Sequence, residues 1–167
     1  MTERLHNWKK FYDMIKDIKF GMFTHRDADG RFCAHPMTTQ NRQNDREGVL
    51  WFFMSRTSDP ASSIKADPEV NVSYADPSSD SYVSVSGTAR IVEEMARKKE
   101  LWNAMVKAWF LKGVDDPDLA LVAVDVTRAE YWDVKSSKLV QVFTMAKAAV
   151  TGAPPANIGE HGTVRTH

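Results

Sequence analysis

Residues 82–121 read YVSVSGTARIVEEMARKKELWNAMVKAWFLKGVDDPDLAL, and the rest of the chain has to fit around them. Counted by twos, Val83, Val85, Gly87, Ala89 and Ile91 fall on one side, and Tyr82, Ser84, Ser86, Thr88 and Arg90 on the other. That alternation predicts a half-buried antiparallel strand long enough to cross a small barrel. Gly87 at its middle predicts a bulge or bend where the strand turns a corner. The period then changes to a helical one. Met95, Leu101, Trp102, Met105, Val106, Trp109 and Phe110 form an apolar stripe, while Arg97, Lys98, Lys99, Glu100, Asn103 and Lys107 take the wet side. Glu93 and Glu94 open this helix, Lys107 and Lys112 close it, and Gly113 stops it, in the sense the helix dipole favours. Past Asp115-Asp116-Pro117 a return strand runs from Leu119 to Val126.

Upstream, Leu5, Trp8, Phe11, Tyr12 and Ile15 have helical spacing, so residues 3–17 read as an amphipathic helix. A strand from Lys19 to Thr24 leads to the turn Asp27-Ala28-Asp29-Gly30, and its partner runs from Arg31 to Gln40. Pro36 inside that partner marks an edge or bulge, where another group reaches exposed backbone. Val49 to Met54 (VLWFFM) is apolar on both faces and so is expected to be buried from both sides. Ser58-Asp59-Pro60 has the form of a helix cap leading into a short helix through Lys65, and Val70 to Ala75 is another strand. After Val126, Glu130 to Val134 reads as a last strand and Leu139 to Ala149 as a helix. From Gly152 the chain is polar and Gly/Pro-rich. The expected architecture is mainly β: an antiparallel barrel with an N-terminal, an inserted and a C-terminal helix. It occupies residues 1–150, and 151–167 are expected to be a mobile tail.

With 167 residues, 22 basic and 22 acidic side chains, the chain carries no net charge and no basic stripe for nucleic acid. No apolar run approaches the roughly 20 residues that span a bilayer, so no membrane partner is expected. The first residues hold no apolar signal segment, and Cys33 stands alone, which fits a reducing cytoplasm.

His6, His25, His35, His161 and His167 are scattered without ligand spacing, so no metal site is expected. No base flanks Cys33, and no phosphate-binding glycine loop is present. Catalytic residues are not assigned. Two features remain. Ser55, Arg56, Thr57 and Ser58 put hydroxyls, a guanidinium and free N–H groups at a helix start, which taken alone reads first as a capped surface turn and second as a phosphate cradle. Trp51, Trp102, Trp109 and Trp132 give a heavy aromatic load that fits core packing or a pocket for a flat ring.

GRFCAHPMT at 30–38, LWFFMSRTS at 50–58, VNVSYADP at 70–77, YVSVSGTARI at 82–91, residues 101–121, AEYWD at 129–133 and GEHG at 159–162 share one resemblance. Together they resemble the general stress protein branch of the pyridoxamine 5′-phosphate oxidase-like, FMN-binding split-barrel family. The resemblance implies a split β-barrel and a homodimer with FMN between subunits. It implies that His35, Pro36, Met37 and Thr38 lie beside the flavin ring, with Trp51, Phe52, Phe53 and Met54 as the floor. It places Ser58 at the phosphate, with Ser55 and Arg56 beside it. Tyr82, Trp109 and Trp132 are expected near the cofactor, partly from the partner chain. His35 stands where the family more often has arginine, and Pro60 where a phosphate-binding lysine is common. A substrate-grasping Tyr/Arg/Ser set has no counterpart along Met95 to Phe110, so pyridoxamine phosphate turnover is not expected. The expectation is a stress-associated flavoprotein, either a low-activity flavin-dependent oxidoreductase or a non-catalytic dimer that binds or senses flavin or haem.

Overall fold

The computed structural model describes residues 2–133 and 160–165. In chain order the elements are α1 (Thr2–Ile15), β1 (Gly21–Arg26), β2 (Phe32–Met37), β3 (Val49–Ser55), α2 (Asp59–Ala66) and β4 (Glu69–Asp76). They continue with β5 (Ser81–Val92), α3 (Met95–Leu101), α4 (Ala104–Trp109), β6 (Leu119–Asp133) and β7 (Glu160–Arg165). The strands form one antiparallel sheet in the order β2-β1-β4-β5-β6-β3, with β7 added beside β6. The two ends of that path touch at the bridge Thr39↔Phe52, so the sheet curls round without closing. This is a split barrel.

The alternation of residues 82–90 builds β5 as expected. Val83, Val85 and Ala89 are buried, Tyr82 and Arg90 exposed, and the serines between are half-buried. The predicted bulge is real but lies on the neighbouring strand. Ser86 pairs with Arg128 and Gly87 with Val126, which leaves Thr127 of β6 as the extra residue. Gly87 serves close approach instead: a Cβ there would meet the Asp125 carbonyl oxygen at 2.5 Å. By absorbing the slip at Thr127, β6 runs unbroken where two separate strands, Leu119–Val126 and Glu130–Val134, were expected. Its first half pairs with β3 and its second with β7.

Two further expectations are corrected. The inserted helix is interrupted: α3 stops at Leu101, and Asn103 starts α4 by accepting from the N–H groups of Met105 and Val106 at 3.0 and 3.2 Å. An asparagine side chain competes with helix carbonyls for nearby backbone donors, which favours a cap over helix interior. The expected stripe is therefore divided. Leu101 and Val106 are buried, while Met105, Trp109 and Leu111 stay exposed. Residues 160–165, expected in a mobile tail, form β7; Gly162 fits tightly against the Tyr131 ring and His161 stacks on Trp132. The expected helix Leu139–Ala149 lies outside the described residues.

The core sits between the concave side of the sheet and α1. Trp8, Phe11 and Ile15 pack with Phe23, Phe52, Val72, Val85 and Val124, and Phe23 meets Phe52 edge-on at 5.6 Å between centroids. Each such large side chain contributes about 1.5–3 kcal/mol on burial. A second cluster (Val49, Val92, Leu101, Leu121 and Ala123) lies on the opposite side of β3 and β6. This explains VLWFFM. Leu50, Phe52 and Met54 serve the main core, while Val49, Trp51 and Phe53 face the second cluster, where Trp51 and Phe53 are only half-buried. Among the described residues no helix is long and apolar enough to cross a membrane.

Candidate functional site

β2 ends the sheet path, so it has a ladder partner, β1, on one side only. An edge strand leaves alternate N–H and C=O groups free, and Pro36 is tolerated there because it has no N–H to offer the ladder. Past Met37 the chain crosses to β3. Gln40 N donates to Trp51 O at 2.8 Å, and Asn41 fixes the register, donating to Val49 O at 2.7 Å and accepting from Trp51 N at 2.8 Å. The inserted helices dock on the same corner, where Asn103 Nδ2 donates to Gln40 Oε1 at 2.8 Å and Thr38 Oγ1 approaches Met105 Sδ. Pro36, Met37, Thr38, Trp51 and Phe53 are thus gathered around one corner of the split barrel, next to α4. Phe52 and Met54 point into the core.

Trp51 carries an unmet need. Its indole N–H is buried and finds no acceptor among the described residues, while Arg97 lies over its ring at 4.7 Å and pairs with Asp45 at 2.8 Å. A buried donor without partner costs about 1–3 kcal/mol.

The turn Ser55–Ser58 is already closed on itself. Arg56 clamps Glu93 with both terminal nitrogens, at 2.7 and 3.1 Å, and its Nε donates to Pro117 O at 3.2 Å. That carboxylate raises the arginine pKa, and the arginine lowers that of Glu93. Thr57 donates from both N–H and hydroxyl to Asp118, whose carboxyl is held low first by the Ser55 hydroxyl and then, after an opposing effect of burial, by Thr57. Ser58 Oγ donates to Ser55 O at 2.6 Å and caps α2 by accepting from Ala61 N at 3.4 Å. Of the two readings open in the sequence, the geometry is that of a capped turn.

Tyr82 and Trp132 are register partners on the exposed side of β5 and β6, with His161 stacked on Trp132 at 5.1 Å. In the sheet order β2-β1-β4-β5-β6, three strand steps separate Tyr82 from β2 and four separate Trp132, which also lies nine residues, about 30 Å, along β6 from Ala123, the partner of Trp51. Trp109 is 82% exposed on α4. A single copy therefore does not bring Tyr82 and Trp132 to Pro36–Thr38. Two cavities, of about 440 Å³ beside Asp13, Asp17 and Asp76 and about 390 Å³ beside Tyr12, Asn41 and Asp45, include none of the candidate residues.

Position 35 holds the finding that sequence spacing missed. His35 and the fully buried His25 face each other with Nε2 atoms 3.1 Å apart, and His25 Nδ1 lies 3.2 Å from Arg26 O. The signal was available: the Asp27–Gly30 turn sets Cys33 opposite His25, which puts His25 on the same face as His35, two residues along the ladder. Among the described residues no group of three or more His, Cys, Asp or Glu side chains is gathered to hold a metal.

Residues 6–156 match the family described as "Pyridoxamine 5′-phosphate oxidase like". The chain belongs to that family. Within it, the protein is similar to a crystal structure described as a general stress protein 26 from Jannaschia sp. CCS1 (25% identity, TM-score 0.73, covering 99% of this chain and 100% of that one). It is also similar to the general stress FMN/FAD binding protein of Xanthomonas citri (30% identity, TM-score 0.67, 80% and 92% covered). Protein bli-3 of Neurospora crassa is 27% identical over 148 residues, spanning 81% of this chain and 69% of that protein. These similarities bear out the resemblance in the sequence and its general stress branch.

A flavin of this family fits the two ends of the candidate site differently. The ring end fits: the free edge of β2 offers backbone donors and acceptors, and on β3, which meets this corner at the Thr39↔Phe52 bridge, the orphaned Trp51 N–H seeks an acceptor. The Ser55–Ser58 end does not fit a phosphate, because its guanidinium and hydroxyls are engaged and Asp118 and Glu93 stand among them.

Proposed function

We propose that this protein binds a flavin nucleotide, FMN in the first instance, at the corner formed by Pro36–Thr38, Trp51 and Phe53, and that two copies complete the site. The observation that carries the reading is the buried, unsatisfied N–H of Trp51 on β3, the strand whose Phe52 bridges Thr39 just past β2, in a chain of this family. On this reading the β2 backbone meets the polar edge of the ring, Trp51 and Phe53 provide its floor, and Trp109 on α4 shields it from water. Tyr82 and Trp132 come from the second copy, since three and four strand steps separate a chain's own pair from β2. A bound flavin supplies hydride and single-electron transfer. The protein's part is to hold the ring, orient it and exclude solvent, as a stress-associated flavoprotein with low oxidoreductase activity.

The test is to purify the protein, record its visible spectrum, add FMN, riboflavin, FAD or haemin, and follow anaerobic reduction by NADH or NADPH. Flavin binding near equivalence, weakened by Trp51→Leu in a folded protein, is the expected result. Binding of haemin alone, or of no flavin, overturns it.

A further inference from the structure

Tyr74 carries a hydroxyl into the apolar core. The residue is 2% exposed on β4, in the cluster that holds Phe23, Phe52, Val72 and Val85, and its hydroxyl lies 2.6 Å from Thr39 Oγ1. Thr39 is its one hydrogen-bond partner among the described residues. Burial pushes the phenol pKa up, against a smaller lowering by Thr39, so the ring stays neutral and keeps its hydrogen. A phenol that accepted from Thr39 would seal that hydrogen in the core without an acceptor. Tyr74 therefore donates and Thr39 accepts.

The ring reaches Thr39 by passing over β1. Gly21 opens β1 and pairs with Met37, the last residue of β2. A Cβ on Gly21 would stand 2.6 Å from Tyr74 Cε1 and 2.9 Å from Cζ, so a side chain there would push the ring aside. Tyr74, Gly21 and Thr39 make a strut across the sheet. It is anchored in β4, passes the start of β1, and ends on the crossing that joins β2 to β3.

That crossing is held on one side by β3: Thr39 bridges Phe52, and Gln40 and Asn41 take up Trp51 and Val49 directly after it. On the other side the last ladder pair, Gly21↔Met37, lies two residues before Thr39. Between the two ladders, the Tyr74 hydroxyl sets how deep the chain sits. Two hydroxyl oxygens approach to 2.6 Å, whereas a carbon in place of either rests at about 3.5 Å. The bond therefore fixes a spacing that apolar packing cannot reproduce, with a difference of about 1 Å.

We propose that Tyr74 is a positioning residue of the cofactor corner: through Thr39 it sets the distance between the Pro36–Thr38 backbone and Trp51, the two walls between which a flavin ring would lie. This rests on the flavin reading above. A displacement of about 1 Å in one wall of a site costs up to about a hundredfold in function. Because the strut acts on the ring end, flavins with and without a phosphate should feel its loss alike.

FMN and riboflavin are titrated into the wild type, Tyr74→Phe, Thr39→Val, Thr39→Ser and the double variant of Tyr74→Phe with Thr39→Val. Amide hydrogen exchange is followed in the ligand-free proteins. Tyr74→Phe and Thr39→Val should each weaken both flavins about tenfold or more, by the same factor for the two. Thr39→Ser keeps the hydroxyl and should bind as the wild type does. The double variant removes both polar partners, so its unfolding midpoint should return toward the wild type while flavin affinity stays low. A purely structural role would restore both together. In the ligand-free protein the Gln40 N–H, bonded to Trp51 O at 2.8 Å, should exchange faster in Tyr74→Phe and Thr39→Val but not in Thr39→Ser. Unchanged flavin affinity in Tyr74→Phe, or an equal loss in Thr39→Ser and Thr39→Val, overturns the proposal. If the wild type takes up no flavin, the flavin reading fails and the Gln40 exchange decides for Tyr74: faster exchange supports the strut, and unchanged exchange overturns it.

Discussion

The two sides of the sheet differ in how completely they are used. On the concave side Phe23, Phe52, Val72, Val85 and Ala129 are wholly buried, and nothing remains for a partner to add. On the other side Asn71 bonds Ser84 and Ser86 at 2.9 and 3.2 Å, Arg128 pairs with Glu130, and the exposed Met22, Phe32, Tyr82 and Trp132 lie around this polar strip. One side is finished by the chain itself. The other mixes satisfied polar groups with uncovered apolar rings, and is the surface on which the second copy proposed above would dock. Stability resides in the first side and the proposed assembly would use the second, so substitutions should separate the two.

The largest effect is expected on the finished side. Phe52→Ala removes the ring that meets Phe23 edge-on and should lower unfolding free energy by about 3–5 kcal/mol in denaturant titration. A loss below about 1 kcal/mol would show that this side is less tightly filled than its burial indicates.

On the open side, Ser84→Arg with Ser86→Arg places two like charges on the surface proposed for the second copy. Dimer affinity should fall about a hundredfold or more by sedimentation, with thermal stability of the monomer nearly unchanged. The wild-type interface should exceed about 1,000 Å². A wild type that sediments as a monomer at micromolar concentration breaks the comparison at its base.

Much of the concave side was legible in the sequence because its causes are local. The alternation along Val83–Ala89, the Asp-Gly turn and the Ser58 cap depend on neighbours in the chain. What was missed depends on distant partners. The stripe Met95–Phe110 has helical spacing throughout, yet Asn103 breaks it while reaching Gln40, far upstream. Arg56 was visible as a cation but not its clamp on Glu93, and the two histidines became a pair only once the hairpin register was fixed. Tyr82 and Trp132 were expected near the cofactor, partly from a partner chain; that they are register partners on the exposed side, strands away from β2, needed the sheet order.

Two smaller effects sharpen the contrast at the corner that joins the two sides. Asn103→Ala removes the α4 cap and the Gln40 contact and should cost about 1 kcal/mol, with a larger relative loss of flavin affinity. The Arg56–Glu93 clamp is mostly exposed and contributes about 0–1 kcal/mol. Because Glu93 has a lowered folded-state pKa, that contribution is present above the ordinary glutamate range and is lost as pH falls through the folded value. Glu93→Gln should flatten this part of the acid unfolding profile and free Arg56. If FMN affinity then rises while riboflavin affinity does not, the turn is a latent phosphate site.

β7 has a bearing on handling and storage. By pairing with Arg128–Asp133 it occupies the stretch of β6 that β3 leaves uncovered. A chain clipped before Glu160 would bare a six-residue row of backbone donors and acceptors beside Trp132, a template on which other clipped chains can stack. Loss of so short a segment would show first as turbidity in a concentrated sample, well before any change in the core.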